Sequence, residues 1–245
     1  MPAFIRRNSR NFLYNSFVKE NFIKHLSSFL FAHKVEERKS DVSGKLEVLF
    51  TNGKYVLDSA HVNYSFGGLH AVFQKAFSDF NIKNRNIKNV LILGFGSGSV
   101  ASILQNEYGK KVEMVGVEKD EAVIALAKKY FSLDKYKNLT LHCEDAFEFV
   151  QNCKEKHDLV VMDVFIDRDV PENFSAAAFI SKSGNLLSDN GILFYNLVIH
   201  NEKVRDKGAK LFKQMNELIG KTDWLRINVN QTENWIFISD KTKKP

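Results

Sequence analysis

At 245 residues the chain is long enough to bury a core without disulfide or metal staples, and its two cysteines, Cys143 and Cys153, stand in no C-x-x-C or Cys/His cluster. That excludes a disulfide framework, leaves a zinc site without support and fits a reducing, cytoplasmic setting. The net charge of +6 gathers at the ends: residues 1–40 hold eight Lys/Arg against three Asp/Glu, and 240–245 three Lys against one Asp. The 199 residues between are near neutral, so nucleic acid is not an expected partner, and no apolar run reaches the about 18 residues of a membrane span.

The opening MPAFIRRNSRNFLYNSF has no acid before Glu20, which gives it a faint look of a transit peptide. The favoured reading is an arm entering an amphipathic helix, because Phe17, Val18, Phe22, Ile23, Leu26, Phe29 and Leu30 fall near helical spacing. KLEVLF and KYVLDSAHVNYSF then flank Thr51-Asn52-Gly53. Asn-Gly supplies the positive φ of a tight turn, so this reads as a small β-hairpin. GLHAVFQKAFSDF (68–80) looks helical, and 81–88 is polar and loop-like. The expected division is an N-terminal helix and β element over 1–80 and a catalytic domain over 81–245.

From Asn89 the texture changes to an α/β alternation. NVLILG is a short apolar strand, followed by a helix from about Ser97 with Val100, Ile103 and Leu104 on one face. KVEMVGVE is a second strand, and DEAVIALAKKYF a helix with Asp120 as N-cap. LTLHCED, HDLVVMD and NGILFYN give three more strands, the last after a helix through Phe179 to Leu187. A helix carrying Leu211, Phe212, Met215, Leu218 and Ile219 precedes a terminal hairpin of WLRINV and NWIFISD. Continuously apolar strands alternating with helices predict a parallel sheet covered on both faces.

The stretch NVLILGFGSGS runs from the first of these strands into three glycines, Gly94, Gly96 and Gly98, at the strand's carboxyl end. Bare backbone there can approach a ligand, and ligands of open parallel sheets collect at that edge. The pattern departs from the dinucleotide fingerprint at Ser99 and suits a sulfonium nucleoside. Glu118 closes the second strand, 20 residues after Gly98, where an acid can accept both ribose hydroxyls. Asp145, which would also serve as an N-cap, closes the third and Asp163 the fourth, so three carboxylates and one glycine loop converge on one crevice. The seven histidines form no H-E-x-x-H, and neither a nucleophile elbow nor a P-loop occurs.

From about residue 45 to 240 these motifs resemble the spermidine synthase (polyamine aminopropyltransferase) family. Its G-G-G-D-G-G loop corresponds to GFGSGS here, its V-E-I-D to VEKD, its E-D-A to EDA, and its W-x-F-x-x-S-K ending to NWIFISDK. The resemblance implies a Rossmann-like, seven-stranded methyltransferase sheet with a C-terminal antiparallel hairpin behind a small N-terminal β element. It implies S-adenosylmethionine or its decarboxylated form as the nucleoside, no metal, a small-molecule acceptor and a homodimer. Glu118 would hold the ribose, Asp145 and Ala146 the adenine, and Gly94, Gly96, Ser97 and Gly98 the methionine-like end. Asp163 would be the catalytic aspartate, with Tyr64 and Asp167 weaker candidates on the acceptor side.

Three positions depart from the family. Ser97 stands for an aspartate, Val56 lies near a hairpin glutamine, and Gly68 aligns with an acid of the polyamine-holding stretch. After the fourth strand DVFIDRDVPENF resembles the spermidine synthase-like relatives. The expected function is therefore transfer of a methyl or aminopropyl group to an unidentified acceptor. Transfer of aminopropyl to putrescine is the first alternative, and a non-catalytic nucleoside-binding or scaffold module the second. A nucleic-acid methyltransferase would carry D/N-P-P-Y/F, where this chain has MDVFI.

Overall fold

The computed structural model describes residues 23, 25–59, 68–165, 169–229 and 232–243. At the start of this range residues 25–27 are helical and 28–30 form a turn; the rest of the expected first helix, apart from Ile23, lies outside the described residues. A three-stranded antiparallel sheet follows, with β1 (His33–Ser40), β2 (Gly44–Thr51) and β3 (Lys54–Ser59) in that order. The β2–β3 hairpin turns at Asn52 and Gly53, both at positive φ, as Asn-Gly predicts. β1 was not foreseen. Its text, HKVEERKS, lacks apolar alternation because its charges pair across the exposed face, Lys34 with Glu37 and Glu47.

Helix α1 (Gly68–Asp79) leads to the large sheet. Its strands are β4 (Asn89–Leu93), β5 (Glu113–Glu118), β6 (Leu139–Cys143), β7 (His157–Met162), β8 (Leu187–Ile199), β9 (Thr222–Val229) and β10 (Thr232–Asp240), in the order β6-β5-β4-β7-β8-β10-β9. β6 to β8 run parallel, and β10 is antiparallel to both neighbours, so the terminal hairpin closes one edge. The helices between are α2 (Ser99–Ser102), α3 (Glu121–Tyr130), α4 (Ala146–Asn152), α5 (Ala177–Asn185) and α6 (Glu202–Leu218). α2 is a single turn that widens into a π-helical turn over Ile103–Glu107, where one continuous helix was expected. β8 runs well beyond the NGILFYN that marks its core.

Apolar side chains cover both faces of the sheet, which is why the inner strands read as unbroken Val, Leu and Ile. One cluster joins Leu46, Val48 and Leu57 of the small sheet through Phe73 and Phe77 of α1 to Ile92 and Phe194. The other packs α5 and α6 on the opposite face through Phe179, Leu211 and Met215. β4, β5, β6 and β7 therefore end side by side, and their last residues share one rim.

Candidate active site

The first βα turn is held from both sides. The Gly94 and Phe95 N–H groups donate to the Val117 carbonyl at 2.9 Å each, and the Asp163 N–H donates to the Leu93 carbonyl at 2.8 Å. Gly94 has φ +79°, and a Cβ there would lie 2.2 Å from the Asp163 carbonyl oxygen. Glycine is thus required for the loop to lie on the end of β7. The next turn places the Gly96 N–H 2.9 Å from Glu118 Oε2, while the Asp120 N–H donates to Oε1 at 3.0 Å. Both Glu118 oxygens are fixed and each keeps a lone pair for a further donor. Burial pushes this carboxyl up against those two bonds.

Asp163 follows β7 and is buried. Its Oδ1 accepts from the Asn196 amide at 2.9 Å. Burial, with a smaller push from the facing Glu118 charge, outweighs that bond and lifts the carboxyl to about 7. Asp145 is the expected N-cap: Oδ1 accepts from the Phe147 N–H at 2.8 Å, capping α4, while Oδ2 takes the Lys119 ammonium at 2.8 Å, a pairing the sequence did not suggest. Burial raises its carboxyl, but the ammonium and the cap outweigh it and hold the group below the usual carboxylate range.

Gly94, Gly96, Glu118, Asp145, Ala146 and Asp163 line one cleft. Ser97 and Gly98 are not on its wall. Ser97 is buried within the loop, and a Cβ on Gly98 would point at Leu133 and Phe95. Val56 and Gly68 are also off the wall, although Leu69 reaches it. None of the three positions that depart from the family, Ser97, Val56 and Gly68, lines this cleft among the described residues. Tyr64 and Asp167 lie outside the described residues. The sequence reading missed Asn196, whose signal was a polar residue inside an apolar strand. It also missed the turn between β1 and β2, whose Val42 and Ser43 line the cleft without any local signal. Ser99 adds a buried hydroxyl on the same wall that meets no partner among the described residues, as a group meant for a ligand would.

A sulfonium nucleoside fits this donor set. Two fixed carboxylate oxygens suit a ribose diol. The family model for the spermine/spermidine synthase domain matches residues 73–244. The chain belongs to that family. Polyamine aminopropyltransferases of Vibrio vulnificus and Clostridium acetobutylicum are 31% and 37% identical to it over 116 and 117 residues, 46% and 45% of this chain. Those stretches are 38% and 40% of the relatives' own length, so the match spans about two-fifths of each. A probable spermidine synthase from Corynebacterium glutamicum superposes with a TM-score of 0.70 at 16% identity, covering 87% of this chain and 81% of that one. This likeness shows the spermidine synthase fold, with the small β sheet, the mostly parallel seven-stranded sheet and the terminal antiparallel hairpin that the motifs implied.

Proposed function

We propose that this chain is an aminopropyltransferase of the spermidine synthase type, taking decarboxylated S-adenosylmethionine as donor and a polyamine-class amine as acceptor. This replaces the broader expectation of methyl or aminopropyl transfer with its first alternative, which the family and its aminopropyltransferase relatives favour. The observation that carries it is Asp163, a buried carboxyl lifted to about 7 on the wall of a cleft whose described lining holds three acids and one ammonium. That ammonium, Lys119, is already paired with Asp145. A doubly cationic donor is matched by such a wall. The carboxylate of S-adenosylmethionine would find no unpaired cation among the described lining residues.

The bound sulfonium supplies an electrophilic carbon and a neutral thioether leaving group. Glu118 accepts the ribose hydroxyls, and Asp145 with the Ala146 backbone borders the base. An amine attacks only when neutral. Asp163, near half-ionised at neutral pH, takes the proton that the nitrogen sheds as its bond to carbon forms and the carbon–sulfur bond breaks. Isothermal titration of both nucleosides, followed by assay of 5′-methylthioadenosine release with putrescine, tests this. The expected result is at least about tenfold tighter binding of the decarboxylated donor and release of the thioether only when amine is present. Preference for S-adenosylmethionine without thioether release would overturn the proposal, and no binding of either would favour the scaffold module.

A further inference from the structure

Asp120 is almost wholly buried, and its carboxylate serves two structures at once. Oδ1 accepts the Ala122 and Val123 N–H groups at 2.9 and 3.4 Å, capping α3. Oδ2 accepts the hydroxyls of Ser40 and Ser43, each at 2.5 Å. The Ser40 hydroxyl oxygen in turn accepts the Val42 and Ser43 N–H groups at 3.0 Å. The turn between β1 and β2 is thus wound around one hydroxyl, and that hydroxyl is tied to the head of α3, 80 residues further on.

Capping does not account for this. A cap needs one side-chain oxygen, and serine, threonine or asparagine supplies it as well as aspartate. The second oxygen is spent on two hydroxyls from the other sheet, and their turn reaches the cleft. Val42 and Ser43 line it beside Glu118, and Val42 stays 43% exposed, an apolar side chain at the rim. The backbone N–H of the same Asp120 holds Glu118 Oε1. One residue therefore sets both the turn that borders the cleft and the carboxylate at its floor. Asp163 is held separately, from β8, by Asn196.

We propose that Asp120 is a positioning residue that pins the β1–β2 turn against the donor cleft, so that Val42 packs on the bound nucleoside. This rests on reading the cleft as the donor site. Because the pin reaches Glu118 and Val42 directly, and Asp163 only through the smaller push of the Glu118 charge, its loss weakens donor binding far more than the chemical step.

The test compares wild type, Ser40→Ala/Ser43→Ala, Ser43→Ala and the hydroxyl-preserving Ser40→Thr/Ser43→Thr. 5′-Methylthioadenosine is titrated calorimetrically, and decarboxylated S-adenosylmethionine with putrescine is used for steady-state kinetics. For the double alanine variant the nucleoside Kd and the donor KM are expected to rise about tenfold, with kcat within about threefold of wild type. The threonine pair should return both toward wild type. Should the double variant not fold, Ser43→Ala, which leaves the Ser40-wound turn, is expected to weaken nucleoside binding about threefold. Unchanged Kd and KM in a folded alanine variant, or kcat falling as steeply as binding, overturns the pin. A wild type that gives no heat with the nucleoside overturns the donor reading, and the pin with it.

Discussion

Asp163 stands where a charge is costly, since burial and the facing Glu118 carboxylate lift it to about 7 against a single amide bond from Asn196. The folded-state value is raised above the ordinary 3.8. Between pH of about 4 and 7 the folded chain therefore keeps a proton that the unfolded chain has released, and stability declines as pH rises through that window. At 1.36 kcal/mol per pKa unit the whole shift is worth roughly 4 kcal/mol. An asparagine in place of Asp163 would keep the shape and the bond to Asn196 without the charge. Asp163→Asn is thus expected to melt at or above the wild-type temperature at pH 8, with the difference vanishing below about pH 4. Its kcat should fall by about 10²–10⁴-fold, the usual worth of a general base. In wild type kcat/KM should fall as pH drops below about 7 and the carboxyl takes up its proton. Melting curves and pH–rate profiles check both arms. An Asp163→Asn protein with full activity would remove the residue from the reaction.

Among the elements, α6 meets the sheet closely at Gly208. A Cβ on Gly208 would sit 2.8 Å from Trp235 Cε3 and 3.2 Å from Leu197 Cδ2. The indole cannot step aside easily: Trp224 packs 4.9 Å from it, the Arg205 guanidinium stacks at 5.4 Å, and its N–H donates to Glu233 at 2.7 Å. Two effects of Gly208→Ala compete. Helix propensity favours alanine by about 1 kcal/mol, and overpacking a rigid neighbour costs about 1–3 kcal/mol. The clash is with a ring held on several sides, so net destabilisation of about 1 kcal/mol is expected in urea unfolding, with nucleoside affinity unchanged. A stabilised variant would mean that α6 shifts freely. Contacts of this kind are not written in the local text, which marks α6 only as an apolar stripe. The elements themselves were largely legible, because the inner strands β4, β5 and β7 and the core of β8 are mostly apolar runs and α3 begins at its own cap, Asp120. β1 was missed because cross-strand charge pairs replace the alternation that betrays a half-buried strand. The break of α2 into a π turn was missed because its apolar spacing is the same as that of a regular helix.

At the scale of the whole molecule, the crevice was legible from one rule: neighbouring parallel strands end at one rim, so Glu118, Asp145 and Asp163 had to meet. What closes the crevice was not legible, because Val42 reaches it through a contact spanning 80 residues and Asn196 through a neighbouring strand. Long-range closure also decides whether the rim keeps its shape, and one ion pair spans most of the chain. Arg85, just before β4, donates to both oxygens of Asp240, at the end of β10, at 2.6 and 2.9 Å. Asp240 is 3% exposed and Arg85 23%. Burial pushes this carboxyl up, but Arg85 and Thr242 outweigh it and hold it below 3.8. Its stabilisation is therefore present above that value and is lost as pH falls through the lower, folded-state one. Removing the cation alone strands a buried anion, at a cost of about 3–5 kcal/mol for a broken buried pair. The two remaining bonds from Thr242, at 3.0 and 2.7 Å, place Arg85→Met at the lower end of that range. Urea unfolding at pH 7.5 should show that loss, and it should shrink toward pH 3 as the carboxyl protonates. Arg85→Met/Asp240→Asn should recover part of it at neutral pH, because no anion is then left behind. Equal stability of Arg85→Met and wild type at pH 7.5 would mean that the apolar cores alone hold the first and last strands of the large sheet in register.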